Sequence, residues 1–307
     1  MKVDNFTLAQ WNCPAKYDLR INRQIVPLKK KPSLSVGGVL HYALAEWYRT
    51  GDRVATLQSV IDHWPEVMPS DDFRTKEYAL KVMAAYMIEY PTENWKILQG
   101  ADGPIVEKAF TIDTGMFLEC QECGGYMGGD DQATGRCSNC GTDLESILYG
   151  GILDLGIDFS EMLYVGDHKS TTVLGKDDST YYFLQYKPDN QMTGYIWGLG
   201  KLTNRRVGGA LVNAIGLYKS GDVKFKRYIT ARNQFEINEW LCGVRAKCNE
   251  IKRAKRTGYY RLETSQCMNY GRCEYHDIHV LNDPVSREKR IESDYVRQAW
   301  DYEARDD

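Results

Sequence analysis

The chain is 307 residues long, 43% hydrophobic and 12% aromatic, which suffices for one large core or two small ones. Its 39 basic and 42 acidic residues leave a net charge of −3, so the total singles out no partner. DNA stays open, because binding it needs a local basic face rather than a basic sum. No apolar run reaches the roughly 18–20 residues that cross a bilayer, so no membrane partner is expected. The opening MKVDNFTLAQWNCP lacks an apolar leader, and a cytoplasmic location is expected. In that reducing compartment nine cysteines read as metal ligands rather than disulfides.

In chain order, 5–21 reads as a short helix interrupted at Pro14. GGVLHYALAEWYRTGD (37–52) reads as a helix with a stop at Gly51, with Leu40, Leu44 and Trp47 on one stripe and His41, Ala45 and Tyr48 on another. Helical patterns follow at 53–64 and 72–90, the second ending before Pro91. From 93 to 117 the pattern is strand-like, and 118–143 is rich in Cys and Gly. Two strands, GGILDLGIDF and MLYVGDHKSTT, come next, then a helix over 189–200. ALVNAIGLY and KFKRYIT read as strands, 233–256 as a long helix, and 284–303 as a charged C-terminal helix. The expected fold is α/β, a mixed sheet flanked by helices. Residues 1–117 and 144–307 form one domain, and 118–143 is an insertion.

The strand pair poses a physical problem. Residues two apart in a strand share a face, so Asp167 and Lys169 point the same way. A hairpin turning at Ser160-Glu161 puts Asp154 opposite Asp167, with Cβ atoms about 4.5–5.5 Å apart. Ser-Glu is not a favoured two-residue turn, so a four-residue loop is expected. Opposed acids destabilise a sheet unless a cation lies between them. A surface hairpin with a plain Asp–Lys ion pair is the simpler alternative. Both faces are largely apolar, however (Leu153, Leu155, Ile157; Leu163, Val165), which belongs in a covered sheet and favours a hard divalent ion. The neighbouring ammonium can orient water or stabilise charge developing on a phosphate.

Asp154 followed by Asp167-x-Lys169 resembles the core of the PD-(D/E)XK nucleases, which have a restriction-endonuclease-like fold. Further matches resemble the RecB/AddB/Cas4-like branch: His41 in GGVLHYAL, Glu107 in PIVEKAF, and Gln191 with Tyr195 in QMTGYIWGL, which lie i and i+4 on one helix face. The resemblance implies a Mg²⁺- or Mn²⁺-dependent deoxyribonuclease using metal-activated water. By the same carry-over His41, Asp154, Asp167 and the carbonyl of His168 bind metal. Lys169 supports the transition state, Glu107 is a further acidic site residue, and Gln191 and Tyr195 position the lysine or the DNA. An exonuclease on single strands or ends is implied, and the small size fits a phage or DNA-repair enzyme.

Cys120-x2-Cys123-Gly and Cys137-x2-Cys140-Gly suit a closed tetrahedral Zn²⁺ site, a zinc ribbon that the resembled family does not usually carry. Cys13, Cys267 and Cys273 match the branch's layout for a [4Fe–4S] cluster, with His279 where the last Cys falls. That set is expected to hold a cluster, zinc or nothing. Cys242 and Cys248 read as ordinary buried thiols. Basic residues cluster at Lys29–Lys31, at Lys201, Arg205 and Arg206, at Lys224, Lys226 and Arg227, and over 252–256. The 201–206 group follows the Gln191 helix and is the first expected DNA contact, with Tyr181, Tyr182, Tyr218 and Tyr228 available to stack on unpaired bases. No base-reading motif is present, so sequence-specific cleavage is not expected. The competing expectation is an inactive nucleic-acid-binding or scaffold protein that uses the ribbon and the basic faces.

Overall fold

The apolar patterns long enough to show a period become elements, and the errors gather at their ends. In the computed structural model residues 1–28, 32–66, 73–124, 129–174, 180–269 and 271–303 are described; Lys29–Lys31 lie outside them. The N-terminal part gives β1 (Lys2–Asp4), α1 (Asn5–Gln10), α2 (Pro14–Tyr17), β2 (Ile25–Pro27), α3 (Pro32–Thr50), α4 (Arg53–Asp62) and α5 (Lys76–Glu89). The middle gives β3 (Lys96–Ile97), β4 (Gln99–Gly100), β5 (Gly103–Pro104), β6 (Val106–Phe117), α6 (Gly129–Thr134), β7 (Ser146–Phe159) and β8 (Met162–Thr171). Then come α7 (Thr180–Leu184), α8 (Asn190–Thr203), β9 (Val207–Leu217), β10 (Val223–Thr230), α9 (Gln234–Thr257), α10 (His276–His279), α11 (Pro284–Asp294) and β11 (Tyr295–Arg297). No described helix is long and apolar enough to cross a membrane.

Two compact units divide the chain: Met1–Lys29, Thr111–Gly151 and Asn238–Asp307 form one, Lys30–Phe110 and Ile152–Ile237 the other. In the second, a mixed sheet runs from β3 through the end of β7 to β8, β9 and β10. The β8–β9 pair is parallel and the others antiparallel. A parallel pair needs a long crossover, and α7 and α8 supply it. One face carries α3, α4 and α5, whose Leu40, Leu44, Val60, Val82 and Met83 pack with Ile215 and Leu217 of β9. Each such side chain stabilises the fold by about 1.5–3 kcal/mol. Side chains fix the helix starts: Asp52 caps α4, Thr75 caps α5 and Asp189 caps α8.

The β7–β8 hairpin has the expected register, with Leu155 opposite Gly166 and Phe159 opposite Met162. Its loop is shorter than expected. Ser160 and Glu161 alone make the turn, at φ 50° and 67°. That mirror-image turn matches the strand twist well enough to override the poor local preference of Ser-Glu.

In the first unit β1 lies parallel to the start of β7, Lys2 opposite Leu148. Trp240 of α9 meets Tyr149 edge-on. Pro14 begins a helix rather than interrupting one, as its fixed φ suits the first helical turn. The C-terminal helix stops at Asp294 instead of continuing to 303. Tyr295–Arg297 instead pair antiparallel with Ile25–Pro27, and Tyr295 buries itself in a cluster with Leu19, Ile25, Tyr275 and Ile278. Burial of β-forming residues outweighs the charged helical pattern.

Candidate active site

The site residues all belong to the second unit. Gly37 lets α3 run close to β8: a Cβ there would sit 3.3 Å from Ser170 Oγ. Four residues further on, His41 Nδ1 comes 3.4 Å from Asp154 Oδ2 and 3.6 Å from Glu107 Oε1. Glu107 stands at φ 48°, a left-handed conformation that costs a side-chain-bearing residue roughly 1–2 kcal/mol. Asp154 Oδ2 accepts the His168 peptide N–H at 2.8 Å. Lys169 Nζ lies 2.6 Å from Asp167 Oδ2 and donates to Gln191 Oε1 at 3.1 Å. Gln191 in turn donates to the Tyr195 hydroxyl at 3.2 Å. Since the Gln191 amide can offer its oxygen to the lysine only by offering its NH₂ to Tyr195, α8 fixes both ends of that contact.

Electrostatically the site is unbalanced. Asp167 is 1% exposed and its Oδ1 has no partner, while Oδ2 faces only the ammonium of Lys169. Burial raises the Asp167 carboxyl above its ordinary range, with the Asp154 charge adding to it and Lys169 opposing. Burial also raises Asp154, offset by His41. Burial alone would lower Lys169 and His41. The facing carboxylates, Asp167 and Asp154 for the lysine and Asp154 and Glu107 for the histidine, overturn that and hold both cations up.

A divalent ion fits this donor set. One ligand atom each from His41, Glu107 and Asp154 lies within 4.8 Å of the others. His41 Nδ1 is buried without a hydrogen bond, and Asp167, outside that three-residue group, keeps a buried oxygen that has no hydrogen-bond partner. Glu107 thus stands beside His41 and Asp154, while Asp167 is held by the lysine.

The four cysteines of the other unit converge as well. Cys120 Sγ lies 3.5 Å from Cys140 Sγ and Cys123 Sγ 3.6 Å from Cys137 Sγ, with all four inside 4.8 Å. Thiolates bound at 2.3 Å on a tetrahedral ion sit roughly 3.8 Å apart. Gly124 and Gly141, at φ 63° and 74°, turn their N–H groups back to the carbonyls of Cys120 and Cys137. The four cysteines are therefore spaced so that they could hold one metal ion.

The other residues singled out in the sequence fare differently. Cys13, Cys267 and Cys273 lie near enough for Cys267 to feel the other two, but with His279 they make no third group at single-ion spacing among the described residues. His279 sits beside His276 and Arg287. Cys248 is buried and Cys242 exposed. Lys201 and Arg206 are exposed, whereas Arg205 pairs with Asp158 at 3.0 Å. Two expected DNA cations are otherwise engaged: Lys252 pairs with Glu145 and Arg253 with Glu119. Arg227 points inward to Glu93, so it is no part of a basic surface. Of the four tyrosines considered for stacking, Tyr181 is 84% exposed, while Tyr182 is buried and Tyr228 stacks on Phe183. Sequence reasoning missed Glu93 and Asn213, which lie behind the site; the available signal was one amide in the apolar run ALVNAIGL.

No protein-family model and no curated protein matches this chain. Among solved structures it is similar to a protein from Eubacterium rectale assigned as an exonuclease. That match has a TM-score of 0.50 at 13% identity and covers 92% of this chain and 89% of that one. At that identity the likeness is one of fold. A protein named SSO0001 (TM-score 0.28, 8% identity, 89% of this chain and 94% of that one) and LHK-Exo in complex with dAMP (0.22, 12%, 73% and 97%) are matched too loosely to bear on the argument.

Proposed function

We propose that the chain is a metal-dependent deoxyribonuclease of the PD-(D/E)XK type, close to the RecB/AddB/Cas4-like branch, acting on single-stranded or end-bearing DNA. The observation that carries this reading is the meeting of half-buried His41 and Glu107 with buried Asp154, one ligand atom of each within 4.8 Å of the others, beside the Asp167–Lys169 pair. The shared fold with a protein assigned as an exonuclease supports it. His41, Glu107, Asp154 and Asp167 would hold Mg²⁺ or Mn²⁺, joined by the His168 carbonyl. A bound ion there supplies water acidified toward neutral pH and polarises a phosphate oxygen. The chain's own contribution is placement. Lys169, fixed between Asp167 and Gln191, brings a positive charge to where the phosphate gains negative charge in the transition state. Tyr195 keeps Gln191 turned, and Lys201 and Arg206 offer phosphate contacts that carry no sequence information.

The four-cysteine site holds structural zinc on this reading, because its sulfur spacing leaves no open position. Cys13, Cys267 and Cys273, close enough for Cys267 to interact with the other two, are the thiols that a [4Fe–4S] cluster would use on this reading, with zinc as the alternative. Anaerobic purification tests this: a brown protein supports the cluster and a colourless one excludes it. The main test is digestion of end-labelled single-stranded DNA with Mn²⁺. Wild type should release nucleotides while Asp167→Ala and Lys169→Ala, folded by circular dichroism, should not. Undiminished activity in both variants would reject the reading.

A further inference from the structure

His168 lies between the two site acids and lysine in sequence, yet its side chain goes to the opposite face of the sheet. There it heads a row. His168 is the register partner of Asn213 on β9, and Asn213 that of Arg227 on β10, so the three side chains stand side by side across three strands. His168 and Asn213 are 3% and 2% exposed.

Every member of the row has its orientation set by the next. The Arg227 guanidinium reaches both oxygens of Glu93 at 2.6 and 2.7 Å, and the hydroxyls of Tyr48 and Tyr86, each at 3.1 Å. Its remaining Nε–H donates to Asn213 Oδ1 at 3.3 Å, and the Tyr90 ring covers it at 3.5 Å. Arginine has only donors, so the Asn213 amide must present oxygen to it and NH₂ to the other side. That NH₂ lies 2.7 Å from the Tyr86 hydroxyl and 2.8 Å from His168 Nδ1. An amide NH₂ cannot accept a hydrogen bond, so Nδ1 must be the accepting nitrogen and the ring proton resides on Nε2, which is buried and has no hydrogen-bond partner of its own, so the contact at Nδ1 alone sets the tautomer. The Tyr48 ring, stacked at 5.6 Å and 15°, and the edge of His41 at 5.9 Å close the remaining sides.

We propose that Glu93, Arg227 and Asn213 are positioning residues that lock His168 as a neutral Nε2–H imidazole and thereby fix the β8 main chain at the metal site. The link to function is the His168 peptide: its N–H holds Asp154 Oδ2 at 2.8 Å. A fixed ring means a fixed peptide, and a fixed peptide means an acid held in place. Outer partners of this kind change metal affinity by about 10–100-fold when removed. The consequence for metal binding rests on the nuclease reading, whereas the tautomer does not.

The test uses ¹⁵N-histidine-labelled full-length protein, metal-free, with His168 assigned by His168→Gln. Long-range ¹H–¹⁵N spectra at pH 7 should show His168 as a single neutral Nε2–H tautomer. Asn213→Asp keeps the shape but replaces the donating NH₂ by an acceptor, so the proton should move to Nδ1. Mn²⁺ affinity, measured by calorimetry, should fall about tenfold or more. A protonated Nδ1 or mixed tautomers in the wild type would overturn the lock, and so would an Asn213→Asp protein keeping the wild-type tautomer. Wild-type Mn²⁺ affinity in that variant would overturn its link to the metal site. If Asn213→Asp fails to fold, the wild-type spectrum alone still decides the tautomer. If wild type binds no Mn²⁺ while showing Nε2–H, the nuclease reading fails and the lock stands.

Discussion

The two groups proposed as metal sites present opposite problems. In the cysteine group all four donors are alike, they pair at 3.5 and 3.6 Å, and glycine knuckles close the turns around them. In the acid group the donors are mixed, one carboxylate is shared with a lysine, and buried atoms of His41 and Asp167 make no hydrogen bond. On the proposed reading the first arrangement would be saturated by one ion and structural, and the second would keep donors free for a reaction. A comparison of valence, rather than of which residues are present, separates scaffold from chemistry here.

Breaking the cysteine group should have the largest effect. Structural zinc contributes an apparent binding free energy of about 10–16 kcal/mol in small domains, comparable to the whole stability of a fold. Cys120→Ser with Cys137→Ser should abolish bound zinc, read by elemental analysis, and open 118–143 to limited proteolysis. Mn²⁺ binding at the acid group should survive, because every ligand there belongs to the other unit. Next comes Asp167→Ala, expected to lower DNA hydrolysis by roughly a thousandfold or more as a ligand is lost. Lys169→Ala should cost about 10²–10³-fold in kcat, the scale of one charge-stabilising group.

Smaller effects sharpen the contrast. Asp167 and Asp154 have carboxyl groups raised above their unfolded values. In the metal-free protein their contribution to stability is therefore present at acid pH and lost as pH rises through the raised values. Metal binds the charged form, so its benefit runs the other way. Mn²⁺ at about 100 times its Kd should stabilise the protein by roughly 2.7 kcal/mol at neutral pH, and by progressively less as pH falls through the Asp167 range. Differential scanning calorimetry at several pH values checks the sign. Gln191→Ala should cost about tenfold in kcat, the worth of one hydrogen bond to an ammonium.

Much of this was legible in the sequence, for identifiable reasons. Strand alternation fixed which side Asp167 and Lys169 share, and any even-length loop centred on Ser160-Glu161 gives the same hairpin register. The cysteine knuckles were readable because a tetrahedral ion constrains spacing locally. The loop at Ser160-Glu161 and the strand at Tyr295–Arg297 were not, because tertiary packing overrode local preference at both. The Arg227–Asn213–His168 row was invisible for a deeper reason. Its members sit on three strands far apart in sequence, and the basic run KFKRY looks the same whether an arginine faces solvent or a buried glutamate.

His41, Glu107, Asp154 and Asp167 are proposed to form one divalent-cation site. Calorimetric titration of the zinc-loaded protein with Mn²⁺ tests it most directly. Saturable binding that is abolished in Asp154→Ala and in Asp167→Ala, with both variants folded, is the predicted result. A wild-type protein that takes up no Mn²⁺, or variants that bind it as well as wild type does, would contradict it.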